Sequence, residues 1–311
     1  MRKWLAAGLL SLAAVTAPAM AAPTDFPTHV TVKGHGGVPI VVQEWGNPAG
    51  PPIVLIHGFS FGSVSWKNQI GEIARNARII AIDLRGHGLS GKPWDAASYS
   101  GSKVWADDLA AVLAAKGIKR PTIVGWSFGG NVAIDYLRHC GSGCASGLVL
   151  VGTLAGLVEA PPPPAAADTS VPVNKGDTRV DDYHTLYEGI DWTARVMTAV
   201  PPPPWVKLQK QLVLAMMPPY VRRAMQGKRL DNRDMVGSLK LPILIIHGGK
   251  DPTVPQGKIE EMRSRLAQST DLAYPDAGHS PFEEDAARFN ADLLKFVTSL
   301  SQAKVKASSS K

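Results

Sequence analysis

Pro121-Thr122-Ile123-Val124-Gly125-Trp126-Ser127-Phe128-Gly129-Gly130 is a β-type apolar run that meets a turn of small residues with one serine at its tip. A hydroxyl presented on a sharp strand-to-helix turn needs neighbours without bulk, and Gly125, Gly129 and Gly130 supply that space. The helix expected from Phe128 to about His139 points its first N–H groups and its positive dipole end at the tip, where negative charge develops during acyl transfer. A lone G-x-S-x-G match is weak, because glycine and serine are common in loops. Its meaning rests on the flanking strand and helix, and on whether partners for Ser127 exist downstream.

The surrounding sequence repeats the same grammar. Pro52–Ile56 is a continuous apolar run, the pattern of a strand covered on both faces of a parallel sheet, and Arg78–Leu84, Gly147–Val151 and Pro242–His247 read as further buried strands. Helical periodicity separates them: Trp66, Ile70 and Ile73; then Val104 to Ile118, with Ser102 as a cap and Gly117 as a stop; then a last helix from Glu283 to Leu300. Val30–Val32 and Pro39–Trp45, joined by Gly34-His35-Gly36-Gly37, read as an edge hairpin, and Asp271–Tyr274 as the final strand. Alternating strands and helices predict an α/β fold with helices on both faces of a mostly parallel sheet.

Two regions depart from this pattern. Residues 1–21 have an export-signal layout: Arg2 and Lys3, the apolar run Trp4–Val15, then Ala19-Met20-Ala21, with cleavage expected after Ala21. That run is shorter than the ~20 residues a bilayer span requires, so no stable membrane insertion is expected. Between the strands ending at Val151 and beginning at Pro242, eleven of the 25 prolines fall in a stretch too long for a simple connection. Residues 153–240 are read as an inserted, largely helical cap, with Pro161–Pro164 and Pro201–Pro204 as stiff elbows. The core is then 22–152 plus 241–300, with a flexible tail at 301–311.

The chain has 311 residues, 45% hydrophobic and 19% charged, enough for one large domain with an insertion. Its formal charge of +7, lowered by two once Arg2 and Lys3 leave with the signal, is scattered. No basic stripe with interleaved aromatics marks a nucleic-acid surface. Cys140 and Cys144, the two cysteines, are spaced for a small-loop disulfide in an oxidising compartment; a metal site is not expected from two thiols without further ligands.

A serine nucleophile needs a general base, and the base needs an acceptor to orient it. Asp251 lies just past the strand Pro242–His247 and His279 just past Asp271–Tyr274, so in a parallel sheet both reach the edge where Ser127 sits. Asp276, three residues before His279, competes for the acid role. His57, His87 and His247 also follow strands and are read as structural. Backbone N–H groups of Phe59 and Phe128 are the expected oxyanion donors, each worth about 3 kcal/mol in such sites.

Together His57-Gly58-Phe59, Asp83-Leu84-Arg85-Gly86-His87-Gly88, Gly125-Trp126-Ser127-Phe128-Gly129-Gly130, Asp251 and His279 resemble the α/β-hydrolase fold, most closely its carboxylic ester hydrolases and cofactor-free haloperoxidases or perhydrolases. The resemblance implies an eight-stranded sheet, a cap over the site, and no metal or organic cofactor. It implies hydrolysis of a small-molecule ester through an acyl-enzyme, with lactone hydrolysis, perhydrolysis and carbon–carbon bond hydrolysis open to the same apparatus. Epoxide and haloalkane hydrolases of this fold carry aspartate where this chain has Ser127. A non-catalytic binding protein on the same scaffold is the reading of another class.

Overall fold

The computed structural model describes residues 24–160, 177–228 and 230–309. The export signal and Pro161–Pro164 lie outside these residues. Eight strands form one sheet: β1 (Thr24–Lys33), β2 (Pro39–Gly46), β3 (Pro52–Ile56), β4 (Arg78–Ile82), β5 (Thr122–Trp126), β6 (Gly147–Val151), β7 (Ile243–Gly248) and β8 (Ser269–Tyr274). Their spatial order is β1-β2-β4-β3-β5-β6-β7-β8. The hairpin β1–β2 forms one edge, β2 pairs antiparallel with β4, and all pairings from β4 to β8 are parallel.

The helices are α1 (Glu72–Asn76), α2 (Ser102–Ala115), α3 (Phe128–Cys140), α4 (Tyr183–Val196), α5 (Pro204–Ala215), α6 (Pro219–Ala224), α7 (Gln256–Arg265), α8 (Pro281–Glu284) and α9 (Ala286–Ser309). Period-two alternation of the strands divides the core. Val54, Ile56, Ile80, Ile82, Ile123 and Leu148 pack against Trp105, Leu109, Val132 and Ile134 of α2 and α3, and Ile259 and Met262 of α7 join that layer. Ile53, Leu55, Ile79, Val124, Val149 and Leu244 pack on the other face against Phe282, Phe289, Leu293 and Val297. Burial of these side chains on both faces stabilises each by roughly 1.5–3 kcal/mol.

Several local expectations change. Trp66, Ile70 and Ile73 do not share one helix: a 3₁₀ segment over Ser63–Gln69 ends and α1 begins after Gly71, whose φ of +95° breaks the path. Ser102 is the first residue of α2 rather than its cap, which is Gly101; the Ser102 hydroxyl instead lies 2.9 Å from His139 Nε2. The last helix is interrupted at Asp285 and continues to Ser309, so residues 301–309 are helical where a flexible tail was expected. No glycine or proline stands between Ala286 and Ser309 to stop it.

Helices α4, α5 and α6 all lie between β6 and β7. Pro203 and Pro204 stand at the N-terminus of α5, where fixed φ and a missing N–H are tolerated. Cys140 and Cys144 are joined by a disulfide that closes the turn after α3.

Candidate active site

The parallel strands deliver the predicted residues to one edge of the sheet. Ser127 directly follows β5, Phe59 follows β3, Asp251 follows β7 and His279 follows β8. Ser127 has φ 51° and ψ −120°, a conformation that a side chain rarely adopts. It is held there from both sides: its N–H donates to Val151 O at 2.9 Å, and α3 starts at the next residue. The turn tolerates this only with glycine behind it, since a Cβ on Gly129 would lie 2.3 Å from Ile56 O.

His279 and Asp251 meet as a pair. His279 Nδ1 lies 2.8 Å from Asp251 Oδ2, and both side chains are buried. Asp251 Oδ1 accepts from the Thr253 hydroxyl and N–H, each at 2.8 Å, and the same hydroxyl lies 2.8 Å from His279 Nδ1. Burial pushes the Asp251 carboxyl up, but the hydrogen bond and charge of His279 and the donors of Thr253 outweigh it, leaving the carboxyl below its usual range. With Nδ1 engaged at the carboxylate, Nε2 is left as the acceptor. Asp276 is placed elsewhere: its side chain is 95% exposed and bonds Lys250 Nζ at 2.9 Å.

Ser127, His279, Phe59 and Phe128 line one cavity of about 510 Å³ with Thr253. The Phe59 and Phe128 rings meet edge to face with centroids 6.2 Å apart. The Phe128 N–H belongs to the first turn of α3, where backbone donors have no intrahelical partner. The Gly58–Phe59 backbone is drawn against the serine, for a Cβ on Gly58 would sit 3.1 Å from Ser127 Cβ. Leu154, Val158, Met225, Leu230 and Val254 supply apolar wall, and Glu159, Asp231 and Arg233 complete it. Tyr183, Tyr187, Trp192, Trp205 and Tyr220 are not among the lining residues, so the aromatic rings on the cavity are those of Phe59 and Phe128.

The other histidines that follow strands, His57, His87 and His247, are buried in the scaffold. His57 Nδ1 lies 2.7 Å from Gly58 O, and its Nε2 accepts from Leu84 N at 3.0 Å. His87 Nδ1 lies 2.8 Å from Arg85 O; burial, then the neighbouring His57, drive its basicity well below the usual imidazole range. His247 Nε2 lies 3.0 Å from Asp271 Oδ1.

Four residues that support the site escape a reading of the sequence. Thr253 carries a local signal, since Asp-Pro-Thr is a turn in which an Asp side chain accepts from the backbone two residues on. Trp126 occupies the variable position before the serine, and its Nε1 bonds His279 O. Arg222, from α6, donates to Ser60 Oγ at 2.6 Å, fixing the residue after Phe59; burial pushes its guanidinium down to about 10. Glu284 accepts from Ala199 N at 2.7 Å and Gly278 N at 2.8 Å, tying the α4–α5 connection to the histidine loop. The ties of Arg222 to Ser60 and of Glu284 to Ala199 carry no local signal, because those partners lie 162 and 85 residues away.

A strained serine at a strand-to-helix turn thus shares one sheet edge with a buried acid–histidine pair. The sequence signature of the alpha/beta hydrolase fold matches residues 51–286, and the chain belongs to that family. It is similar to a provisionally designated aryl esterase from Burkholderia cenocepacia, 32% identical with a TM-score of 0.80, over 88% of this chain and all of that one. A bifunctional esterase/perhydrolase from Acinetobacter calcoaceticus is 27% identical over 87% of this chain and 99% of its own. A non-heme haloperoxidase from Rhodococcus erythropolis is 28% identical over 86% and 99%.

Proposed function

We propose that this protein hydrolyses a small-molecule carboxylic ester through an acyl-enzyme on Ser127. The observation that carries this is the Asp251–His279 hydrogen bond at 2.8 Å behind a cavity that His279 and Ser127 both line. Ser127 Oγ attacks the ester carbonyl carbon as His279 Nε2 takes its proton. The oxyanion that forms accepts from the Phe59 and Phe128 N–H groups. Collapse of this intermediate releases the alcohol, protonated by His279. Water, deprotonated by His279, then attacks the acyl carbon and frees Ser127 and the carboxylic acid. Asp251 holds the imidazole in the productive tautomer and stabilises its cation.

The largely apolar cavity wall favours uncharged acyl groups. Hydrogen peroxide in place of water at the second step gives a peracid; similarity to an esterase/perhydrolase supports this as a side reaction. We also propose that the chain is exported and starts at Ala22 once its signal is removed, which the intact mass of protein recovered from the producing cell tests.

The test of the reaction is incubation with a fluorophosphonate and with p-nitrophenyl butyrate. Stoichiometric labelling of Ser127 with matching loss of turnover is expected. A folded protein that neither labels nor turns over would leave the non-catalytic scaffold as the correct reading.

A further inference from the structure

Helix α5 presents apolar side chains to water as well as to the core, where Leu214 is buried. Trp205, Leu208, Leu212 and Met216 are 62%, 55%, 61% and 36% exposed, and at 100° per residue they fall within an arc of about 80°. No charged side chain shares that water-facing stripe, on which Gln209 is the polar member. The lysines of the helix turn inward instead. Lys207 Nζ bonds Asp191 at 3.0 Å, and the buried Lys210 lies 3.0 Å from Glu283. The ridge continues onto the core through Val64, which shares a cavity wall with Leu212, while Lys67 sits over the Trp205 ring at 5.3 Å. Tyr187 of α4 and Val200 before α5 are exposed too.

A surface helix normally shows its polar side to water, and a contiguous exposed apolar ridge marks a contact site. We propose that this ridge docks the protein peripherally on a lipid surface carrying anionic headgroups. Trp205 with the Lys67 ammonium above it suits the boundary between acyl chains and headgroups, where an indole places its body in the apolar layer and cations meet phosphates. The positive formal charge of the chain draws it to such a surface and repels a second copy. The ridge is also small for self-association. Twelve helical residues span about 18 Å, and at roughly 10 Å across they give a footprint near 200 Å² against ~800 Å² per partner in a stable interface. No helix among the described residues is long and apolar enough to cross a bilayer, which makes the contact peripheral. This inference rests on the fold and is independent of the reaction proposed for Ser127.

The experiment is co-sedimentation of the chain starting at Ala22, so that the apolar leader does not contribute. Vesicles of phosphatidylglycerol with phosphatidylcholine and of phosphatidylcholine alone are compared for wild type, Leu208→Ser/Leu212→Ser and Trp205→Ser, each shown folded by a circular-dichroism melt. At least tenfold weaker partitioning of the double variant onto the anionic vesicles is expected, together with weaker wild-type binding to the neutral ones. Trp205→Ser reports separately should the double variant not fold. Equal partitioning of folded wild-type and variant proteins overturns the proposal. So does a wild-type dimer in sedimentation velocity that Leu208→Ser/Leu212→Ser converts to monomer, which would assign the ridge to a second copy of the chain.

Discussion

The indole N–H of Trp126 donates to the backbone carbonyl of His279 at 2.9 Å, so the residue before the serine holds the loop that carries the histidine. The two rings also lie 5.7 Å apart, and Phe61 and Phe282 pack on the indole from other sides. Trp126→Phe keeps apolar bulk and deletes one hydrogen bond worth about 1 kcal/mol. Ester turnover is expected to fall roughly fivefold in kcat with KM nearly unchanged, since the bond positions the base and not the substrate. A lowered Tm with kcat intact would reduce the bond to a packing detail.

Backbone strain at Ser127 yields a second prediction, because function and stability pull apart there. Its φ of 51° and ψ of −120° cost on the order of 1–3 kcal/mol for a residue with a Cβ. Ser127→Gly relieves that strain at an entropic penalty of up to ~1 kcal/mol, so Tm is expected to rise by roughly 2 °C while turnover falls on the order of a million-fold. Ser127→Ala should show the same loss without the rise. Calorimetry alongside the ester assay checks both, and a Ser127→Gly protein melting below wild type would mean the turn is unstrained.

Asp251 and Asp276 are separated by their surroundings. With the first buried against His279 and the second paired with Lys250 in solvent, Asp251→Asn is expected to lower kcat up to about ten-thousand-fold by mis-setting the tautomer, and Asp276→Asn by less than twofold. The reverse ranking would transfer the role.

The depressed Asp251 carboxyl also has a thermodynamic consequence. Its folded value lies below the ordinary 3.8, so its contribution is fully present above that pH and is lost as pH falls through the folded value. Asp251→Asn should therefore flatten the acid limb of stability against pH below about 4. Urea midpoints measured from pH 2 to 6 give the comparison, and superimposable limbs would contradict the shift.

The largely apolar cavity at Ser127 predicts a chain-length profile. Each added methylene, worth up to about 0.8 kcal/mol, raises kcat/KM as much as fourfold until the cavity fills. Met225→Trp shortens the space beside the serine and is expected to move the optimum of a p-nitrophenyl ester series to a shorter acyl group, leaving the acetate ester little changed. An unaltered profile would take Met225 out of substrate choice.

Sequence reasoning reached the central sheet because its strands are buried on both faces, and continuous apolar runs such as Ile53–Ile56 and Gly147–Val151 leave little else for the chain to become. It reached Ser127, Asp251 and His279 because a parallel sheet places whatever follows its strands on one edge. The sequence preferred Asp251 over Asp276 because it follows a strand end, and the structure places the two apart, Asp251 buried against His279 and Asp276 exposed on Lys250. Arg222, Glu284 and the stripe on α5 stayed hidden. Their meaning lies in what faces them across the cap, and local periodicity reports that a face is apolar without reporting which side water is on.

The strand order has a consequence for how the chain is made. Along the sheet β5 is followed by β6, β7 and β8, yet the whole cap segment separates β6 from β7 in sequence. A nascent chain that has emerged only through β6 contains Ser127 but neither Asp251 nor His279, and β6 presents a bare row of backbone donors and acceptors where β7 belongs. Such an edge is a template for pairing with other chains. Synthesis of the last quarter of the polypeptide, from β7 onward, therefore completes the sheet and brings Asp251 and His279 to the edge where Ser127 waits, and truncation between the cap and β7 is expected to leave a molecule with an open sheet edge that is prone to aggregate.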